Sequence, residues 1–270
     1  MRIAVIVATY NRPDALAALL NGYKNQDDPD FEVIIADDGS TAEVRQLVES
    51  YARHTPFPLT HLWHEDRGFR ATVMRNRGLA ATRADYVIYT DADCVPPRDF
   101  VRQHRRLAEP GYFLSGNRTL LSERFTARVL RQHLPLYDWG LPRWLGAWMS
   151  RDINRWLPLL RLPDGAWRRR EPDRWKGVKT CNLSAWRKDL IAVNGFDESY
   201  AGIWGLEDSD LAIRLLLAGI KYKSARFAAP VFHLWHKEAD RSGFAENQRL
   251  LDDLIASRRT YAKLGVDQYL

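Results

Sequence analysis

Four short strand-like runs, each followed by a helix signal, constrain this chain more than any other feature. Residues 3–8, 31–36, 59–64 and 86–90 are dominated by apolar, β-branched and aromatic side chains, the composition of strands packed in a sheet. Pro13 opens a helix that should run to about residue 25, because proline is favoured at the first helical position. Ser40 and Glu43 have the spacing of a capping box for a helix through about residue 53. Residues 68–83 supply a loop and a third helix. Strands alternating with helices imply an α/β fold, with a mostly parallel central sheet covered on both faces.

The fourth run ends in Asp91-Ala92-Asp93, and Pro96 and Pro97 then stop it and open a helix over 98–109. Two carboxylates one residue apart thus stand at the carboxyl end of a buried strand, where open α/β sheets bind ligands. They are hard oxygen ligands of the kind Mg²⁺ or Mn²⁺ takes when a ligand's phosphates hold the ion as well. No G-x-G-x-x-G and no G-x-x-x-x-G-K-[ST] occurs, so dinucleotide and P-loop readings lose their main support.

Further along, strands are expected over 112–116, 221–228 and 231–235, with a short extended piece at 118–121. A helix over 208–218 should stop at Gly219, and an amphipathic helix should fill 244–264. Between them lies a stretch of different character. Residues 124–176 carry eleven Arg and Lys176 against five acids, a surplus of seven, while the rest of the chain sums to −1. Six of the ten tryptophans fall there: Trp139, Trp144, Trp148, Trp156, Trp167 and Trp175. A near-neutral body with one basic, Trp-rich insert calls for an anionic surface or acceptor at that insert, and not for nucleic acid.

The 270 residues suffice for one large domain. No apolar run is long enough to cross a bilayer, and residues 1–8 are too short an apolar start for a secretory signal. Cys94 and Cys181 have neither the number nor the spacing of a disulfide framework or a zinc site. A cytoplasmic location is therefore expected, with the insert as a peripheral contact on the inner face of the plasma membrane.

Several motifs, in order, carry a resemblance. Val7-Ala-Thr-Tyr-Asn-Arg-Pro13, Asp37-Asp-Gly-Ser40, Gly68-Phe-Arg-Ala71, Arg75-Asn-Arg-Gly78, Asp91-Ala-Asp93, Gly195-Phe-Asp197 and Trp204-Gly-Leu-Glu-Asp-Ser-Asp210 together resemble the family 2 nucleotide-sugar glycosyltransferases of GT-A fold. The carboxyl half is similar to the catalytic half of the beta-1,4-galactosyltransferases and of the bacterial chondroitin-type polymerases. The resemblance covers about 1–121 and 176–250. It implies a single GT-A domain over 1–270, with a nucleotide-sugar-binding half (1–121), the insert (122–176) and an acceptor and catalytic half (177–270).

The resemblance also implies roles. Asp38 would accept a hydrogen bond from the nucleotide base, with Ala8 and Thr9 lining it and Asn11 and Arg12 completing the nucleotide site. Arg70 and Arg75 would face the diphosphate or base, since guanidinium offers planar donors to phosphate. Asp91 would hold the ribose or a metal-bound water. Asp93 would ligate the metal together with His236 and His233. These two histidines cannot share one strand face at i, i+3, so both can reach the ion only if the chain bends after Leu234. An Asp and His set suits Mn²⁺, with Mg²⁺ as the alternative. Asp208 would deprotonate the acceptor hydroxyl, Glu207 would position acceptor or donor sugar, and Trp204-Gly205 would form a sugar platform. Residues 237–245 would be a lid ordered by metal and donor.

The implied function is inverting, metal-dependent transfer of a sugar from a nucleotide diphospho-sugar, in first place a UDP-sugar. The acceptor would be a glycan or lipid-linked glycan of bacterial lipopolysaccharide or surface polysaccharide. A nucleotidyltransferase would want a Gly-rich loop after the first strand, and 9–13 has none. A non-catalytic nucleotide-sugar or glycan-binding module of the same fold would lack a base or a metal ligand, whereas Asp93, Asp208 and His236 are all present.

Overall fold

The computed structural model describes residues 1–202, 204–237 and 243–270. The strands β1 (Ile3–Thr9), β2 (Phe31–Asp37), β3 (Leu59–Trp63) and β4 (Tyr86–Asp91) stand within two residues of expectation. Helices α1 (Pro13–Lys24), α2 (Ala42–Ala52) and α3 (Ala71–Ala81) connect them. After β4 come a two-residue strand β5 (Cys94–Val95), α4 (Phe100–Leu107), β6 (Tyr112–Ser115), β7 (Arg118–Leu120), α5 (Glu123–Gln132) and α6 (Leu141–Met149). The rest comprises β8 (Asn182–Trp186), α7 (Arg187–Ala192), α8 (Glu207–Leu217), β9 (Lys221–Ser224), β10 (Val231–His233) and α9 (Phe244–Ser257).

Seven strands form one sheet in the order β3-β2-β1-β4-β8-β6-β9. All neighbours are parallel except β8, which runs antiparallel to both β4 and β6. Side chains alternate between faces at period two, so each face has its own core. Val5, Val33, Ile35 and Ile88 pack with Leu16, Leu20 and Phe100, while Ile6, Ile34, Val87 and Tyr89 pack with Met74, Leu79, Leu211 and Leu215. Helix α3 comes close to the sheet at Gly78, where a Cβ would sit 2.8 Å from Ile6 Cγ2.

A second sheet, β5-β10-β7, lies across the end of β4. Its outer face and helices α5 and α6 share a third core, in which Trp144 stacks on Phe232 with ring centroids 4.2 Å apart. The insert is therefore packed against the strand that ends in His233. Of its six tryptophans Trp144 is buried, Trp148 is exposed and the other four are half-buried.

Three expectations need correction. The capping box does not form: Thr41 is the N-cap of α2 without a side-chain bond, because Ser40 Oγ is engaged by the Asn11 N–H at 2.9 Å. The last helix stops at Ser257, where Arg258 takes a left-handed conformation (φ 52°), and a 3₁₀ turn Val266–Tyr269 ends the chain. The strand expected over 221–228 ends at Ser224, and Phe227 turns the chain with φ 59°. Among the described residues no helix is long and apolar enough to cross a membrane.

Candidate active site

The register of the sheet assembles the site. Thr9 pairs with Asp37, and Ala8 pairs with Ala36 on one side and Asp91 on the other. The last two carbonyls of β1 hold the neighbouring loops in place: Asp38 N–H donates to Thr9 O and Ala92 N–H to Ala8 O, both at 2.9 Å. Since β8 is antiparallel to β4, with Thr90 opposite Asn182, the residues preceding β8 arrive at the same edge. A cleft of about 830 Å³ opens there.

Twelve of the predicted side chains line the cleft: Ala8, Thr9, Arg12, Asp38, Arg75, Asp91, Asp93, Trp204, Gly205, Glu207, Asp208 and His236. Three do not. Asn11, with φ 49°, ties its loop to Thr41 N–H through its side-chain carbonyl. Arg70 gives its backbone N–H to Asp38 Oδ2 (2.7 Å), and its guanidinium lies within electrostatic reach of Tyr269. His233 reaches Asp93 from the second sheet. Residues 238–242 of the expected lid lie outside the described residues.

Asp38 is nearly buried, and its other oxygen accepts from His64 Nε2 at 2.8 Å. Burial raises its carboxyl pKa, against the Arg70 N–H and His64, which lower it. Arg75 is buried on α3 between two acids, with Nη2 2.8 Å from Asp91 Oδ1 and Nη1 3.6 Å from Glu207 Oε1. Burial opposes its charge, but Asp91, Glu207 and Asp208 together raise its pKa, so it stays a cation. Neither Arg75 Nη1 and Nε nor Glu207 Oε2 has a hydrogen-bond partner among the described residues. Buried polar atoms are rarely left so, and both residues line the cleft, where a ligand's oxygens could accept from Arg75 and its hydroxyls could donate to Glu207.

Glu207 is the first residue of α8. Burial, then the adjacent Asp208 charge, push its pKa up to about 7, with Arg75 pulling the other way. The backbone before it is constrained: Gly205 has φ 109° and Leu206, the N-cap, φ 74°, a conformation costly for leucine. Asn247 Nδ2 donates to Gly205 O at 2.7 Å and helps hold that turn. Asp208 accepts a hydrogen bond from the buried Thr180 hydroxyl. Asp210 does different work: it pairs with Arg214 at 2.6 Å, both fully buried.

A second cluster, of Asp93 with two histidines, forms where the two sheets meet. His236 Nε2 lies 3.2 Å and His233 Nε2 3.7 Å from Asp93 Oδ2. The chain does leave the strand after His233, with Leu234 N–H bonded to Asp93 O at 2.8 Å. His236 Nδ1 donates to Lys237 O at 2.8 Å, which leaves its Nε2 lone pair toward Asp93. Cis ligands about 2.1 Å from one ion stand about 3 Å apart, a spacing that His236 Nε2 already keeps to Asp93 Oδ2 and that His233 Nε2 exceeds. Cys94 lies in the same cluster, but burial raises its pKa well above the usual value and it donates to Asp93 Oδ1. As a thiol it orients Asp93.

Sequence reasoning missed Thr180, Lys179 and Arg118, all of which line the cleft. A Lys-Thr pair just before a strand becomes informative only once the direction of that strand is known. Two residues of the resembling motifs are structural. Asn76 bonds both the N–H and the C=O of Phe196, and Asp197 accepts from Ser199 N–H, Lys263 N–H and Arg259.

Comparison with known proteins agrees with this architecture. The family model "Glycosyl transferase family 2" matches residues 4–165, and "N-terminal domain of galactosyltransferase" matches 168–237. The uncharacterized glycosyltransferase YfnE of Bacillus subtilis (strain 168) is 26% identical over 283 residues, covering 95% of this chain and 69% of its own. Chondroitin synthase of Escherichia coli is 31% identical over 106 residues, 39% of this chain and 15% of its own; the chain thus spans only a small part of that relative. Among solved structures, S. aureus TarS 1–349 in complex with UDP-GlcNAc superposes with TM-score 0.59 at 17% identity, over 100% of this chain and 69% of that one. The mannosyltransferase PcManGT from Pyrobaculum calidifontis, in complex with GDP-Man and Mn²⁺, gives 0.63 at 20% identity, over 95% and 64%. With a GT-A fold and a family model spanning more than half of its length, this chain belongs to glycosyl transferase family 2.

Proposed function

We propose that the chain transfers a sugar, with inversion, from a nucleotide diphospho-sugar to a glycan hydroxyl, and that it uses a divalent metal held by Asp93, His236 and His233. One observation carries this reading. The Asp93 cluster and the Glu207-Asp208 pair, far apart in sequence, face one cleft with a buried cationic Arg75 between Asp91 and Glu207.

Asp38, at the end of β2 and held by His64 and the Arg70 N–H, would accept from the base, with Ala8 and Thr9 beside it. A pyrimidine N3–H suits that acceptor, so a UDP-sugar is the first candidate. Arg75 would turn from Asp91 toward donor oxygens. A divalent ion at Asp93 would offset charge on the departing diphosphate as a Lewis acid; Mn²⁺ suits the mixed Asp and His ligands, with Mg²⁺ the alternative. Asp208, oriented by Thr180 through one oxygen, would take the acceptor proton on the other. Glu207 Oε2 would bind a sugar hydroxyl. Attack opposite the leaving group inverts the anomeric carbon. On this reading 1–121 holds the donor and 177–270 the acceptor, and a lipid-linked or surface glycan of a bacterium is the acceptor class. Localisation would then be cytoplasmic, at the inner face of the membrane.

The test is release of nucleoside diphosphate from a panel of UDP-, GDP-, dTDP- and ADP-sugars, with Mn²⁺, Mg²⁺ or chelator and a set of glycan acceptors. Metal-dependent release from a UDP-sugar, with an inverted anomer in the product, is expected. Nucleotide binding without turnover of any donor would favour the non-catalytic binding module.

A further inference from the structure

Helix α6 (Leu141–Met149) is apolar on two faces. Its inner face puts Trp144 and Ala147 into the core shared with β10. Its outer face holds Leu141, Trp148 and Met149, exposed by 39, 45 and 73%. These positions, at i, i+7 and i+8, form one stripe along the helix. Leu157, 53% exposed, follows Trp156, whose ring centroid lies 6.4 Å from that of Trp148, so a further exposed apolar side chain stands near the stripe. A surface helix normally turns polar side chains away from its core; this one turns tryptophan, methionine and leucine.

Within residues 141–157 the exposed charge has one sign: Arg143, Arg151 and Arg155 are exposed. The acid of that stretch, Asp152, is buried and bonded by Arg124 and Arg128 at 2.8 Å each. The Arg124 guanidinium also bonds Ser150 O at the end of α6, so positive charge frames the apolar patch.

We propose that the outer face of α6 together with residues 150–157 is an interfacial surface for anionic phospholipid. The apolar side chains would enter the headgroup–acyl boundary and the arginines would meet lipid phosphates. Size argues against a second copy of the chain as the occupant. A nine-residue helix is about 14 Å long, and a face about 10 Å wide offers on the order of 140 Å², against about 800 Å² per partner in a stable protein interface. A leaflet sets no such minimum.

The surface adjoins the cleft. Arg155 bonds Arg118 O at 3.3 Å, and Arg118 lines the cleft. Trp144 stacks on Phe232, which precedes His233. A lipid-linked acceptor in the same leaflet would therefore present its glycan beside the rim; this consequence, unlike membrane binding itself, rests on the proposed transfer reaction.

Sedimentation of the intact chain with vesicles of phosphatidylcholine, alone or with about a third phosphatidylglycerol, tests the surface. Binding to the anionic vesicles only is expected, weakened by salt by about fivefold for each arginine engaged. The doubly substituted Met149→Glu/Leu157→Glu chain should partition at least tenfold less, while its thermal shift with nucleotide matches wild type, which shows it folded with an intact donor site. Absence of wild-type binding to anionic vesicles at low salt, or equal binding by the variant, would overturn the proposal. So would a dimer in light scattering that the variant abolishes. A donor-induced shift in wild type separates any of these failures from failure of the transferase reading.

Discussion

Glu207 should cost the fold stability at neutral pH, and Glu207→Gln should recover it. Its carboxyl is 6% exposed, one oxygen has no partner among the described residues, and its pKa is pushed from 4.5 to about 7 by burial and by Asp208. Below the usual glutamate value the group is protonated in folded and unfolded chains alike, and the environment adds no cost. As pH rises from 4.5 toward 7 the unfolded chain releases the proton while the folded chain holds it, so the native state loses ground. Above 7 the full difference is in place. At about 1.36 kcal/mol per pH unit it amounts to about 3 kcal/mol. The amide keeps the shape and carries no titrating proton. Urea unfolding of both chains at pH 4.5 and pH 8 should show the Gln variant gaining about 3 kcal/mol relative to wild type between the two conditions, with equal m-values. A difference that stays within 1 kcal/mol across the range would refute the assignment of Glu207 as a strained, buried acid.

Three further outcomes follow from the same geometry. Asp208→Asn should lower kcat by about 10²–10⁴-fold and leave nucleotide affinity within about twofold, as read by steady-state kinetics and calorimetry. Thr180→Val removes the hydroxyl that orients Asp208 without changing side-chain shape; kcat should fall about tenfold at unchanged donor KM, and Thr180→Ser should restore it. Asn76→Ala strands the Phe196 N–H and C=O in a site with no exposure, and should cost about 3 kcal/mol in urea unfolding.

The parts of the fold that depend on local pattern were legible. Strands buried on both faces are continuous apolar runs, so β1, β2 and β4 stood out to within one residue, and with them the edge where Asp38, Asp91 and Asp93 gather. Legibility ended where a partner distant in sequence decides the outcome. Ser40 has the spacing of a cap, but Asn11 from another loop claims its hydroxyl. Nothing in the local sequence shows that Asp91 and Glu207, the latter 132 positions away, close around Arg75. Thr180 is invisible as a site residue until β8 is known to run antiparallel to β4. The histidines show the opposite case: strand periodicity alone says that positions i and i+3 cannot share one strand face, and the strand stops at His233, with both imidazoles beside Asp93.

Thermal unfolding of wild type and Asp93→Ala with UDP, GDP, CDP or dTDP, each with Mn²⁺, Mg²⁺ or EDTA, tests the central claim most directly. The account predicts stabilisation by UDP that requires the metal and disappears in Asp93→Ala, about 2.7 kcal/mol at a hundred times Kd. No shift with any nucleotide, or a UDP shift that persists in EDTA and in Asp93→Ala, would contradict a metal-assisted nucleotide-sugar site at this cleft.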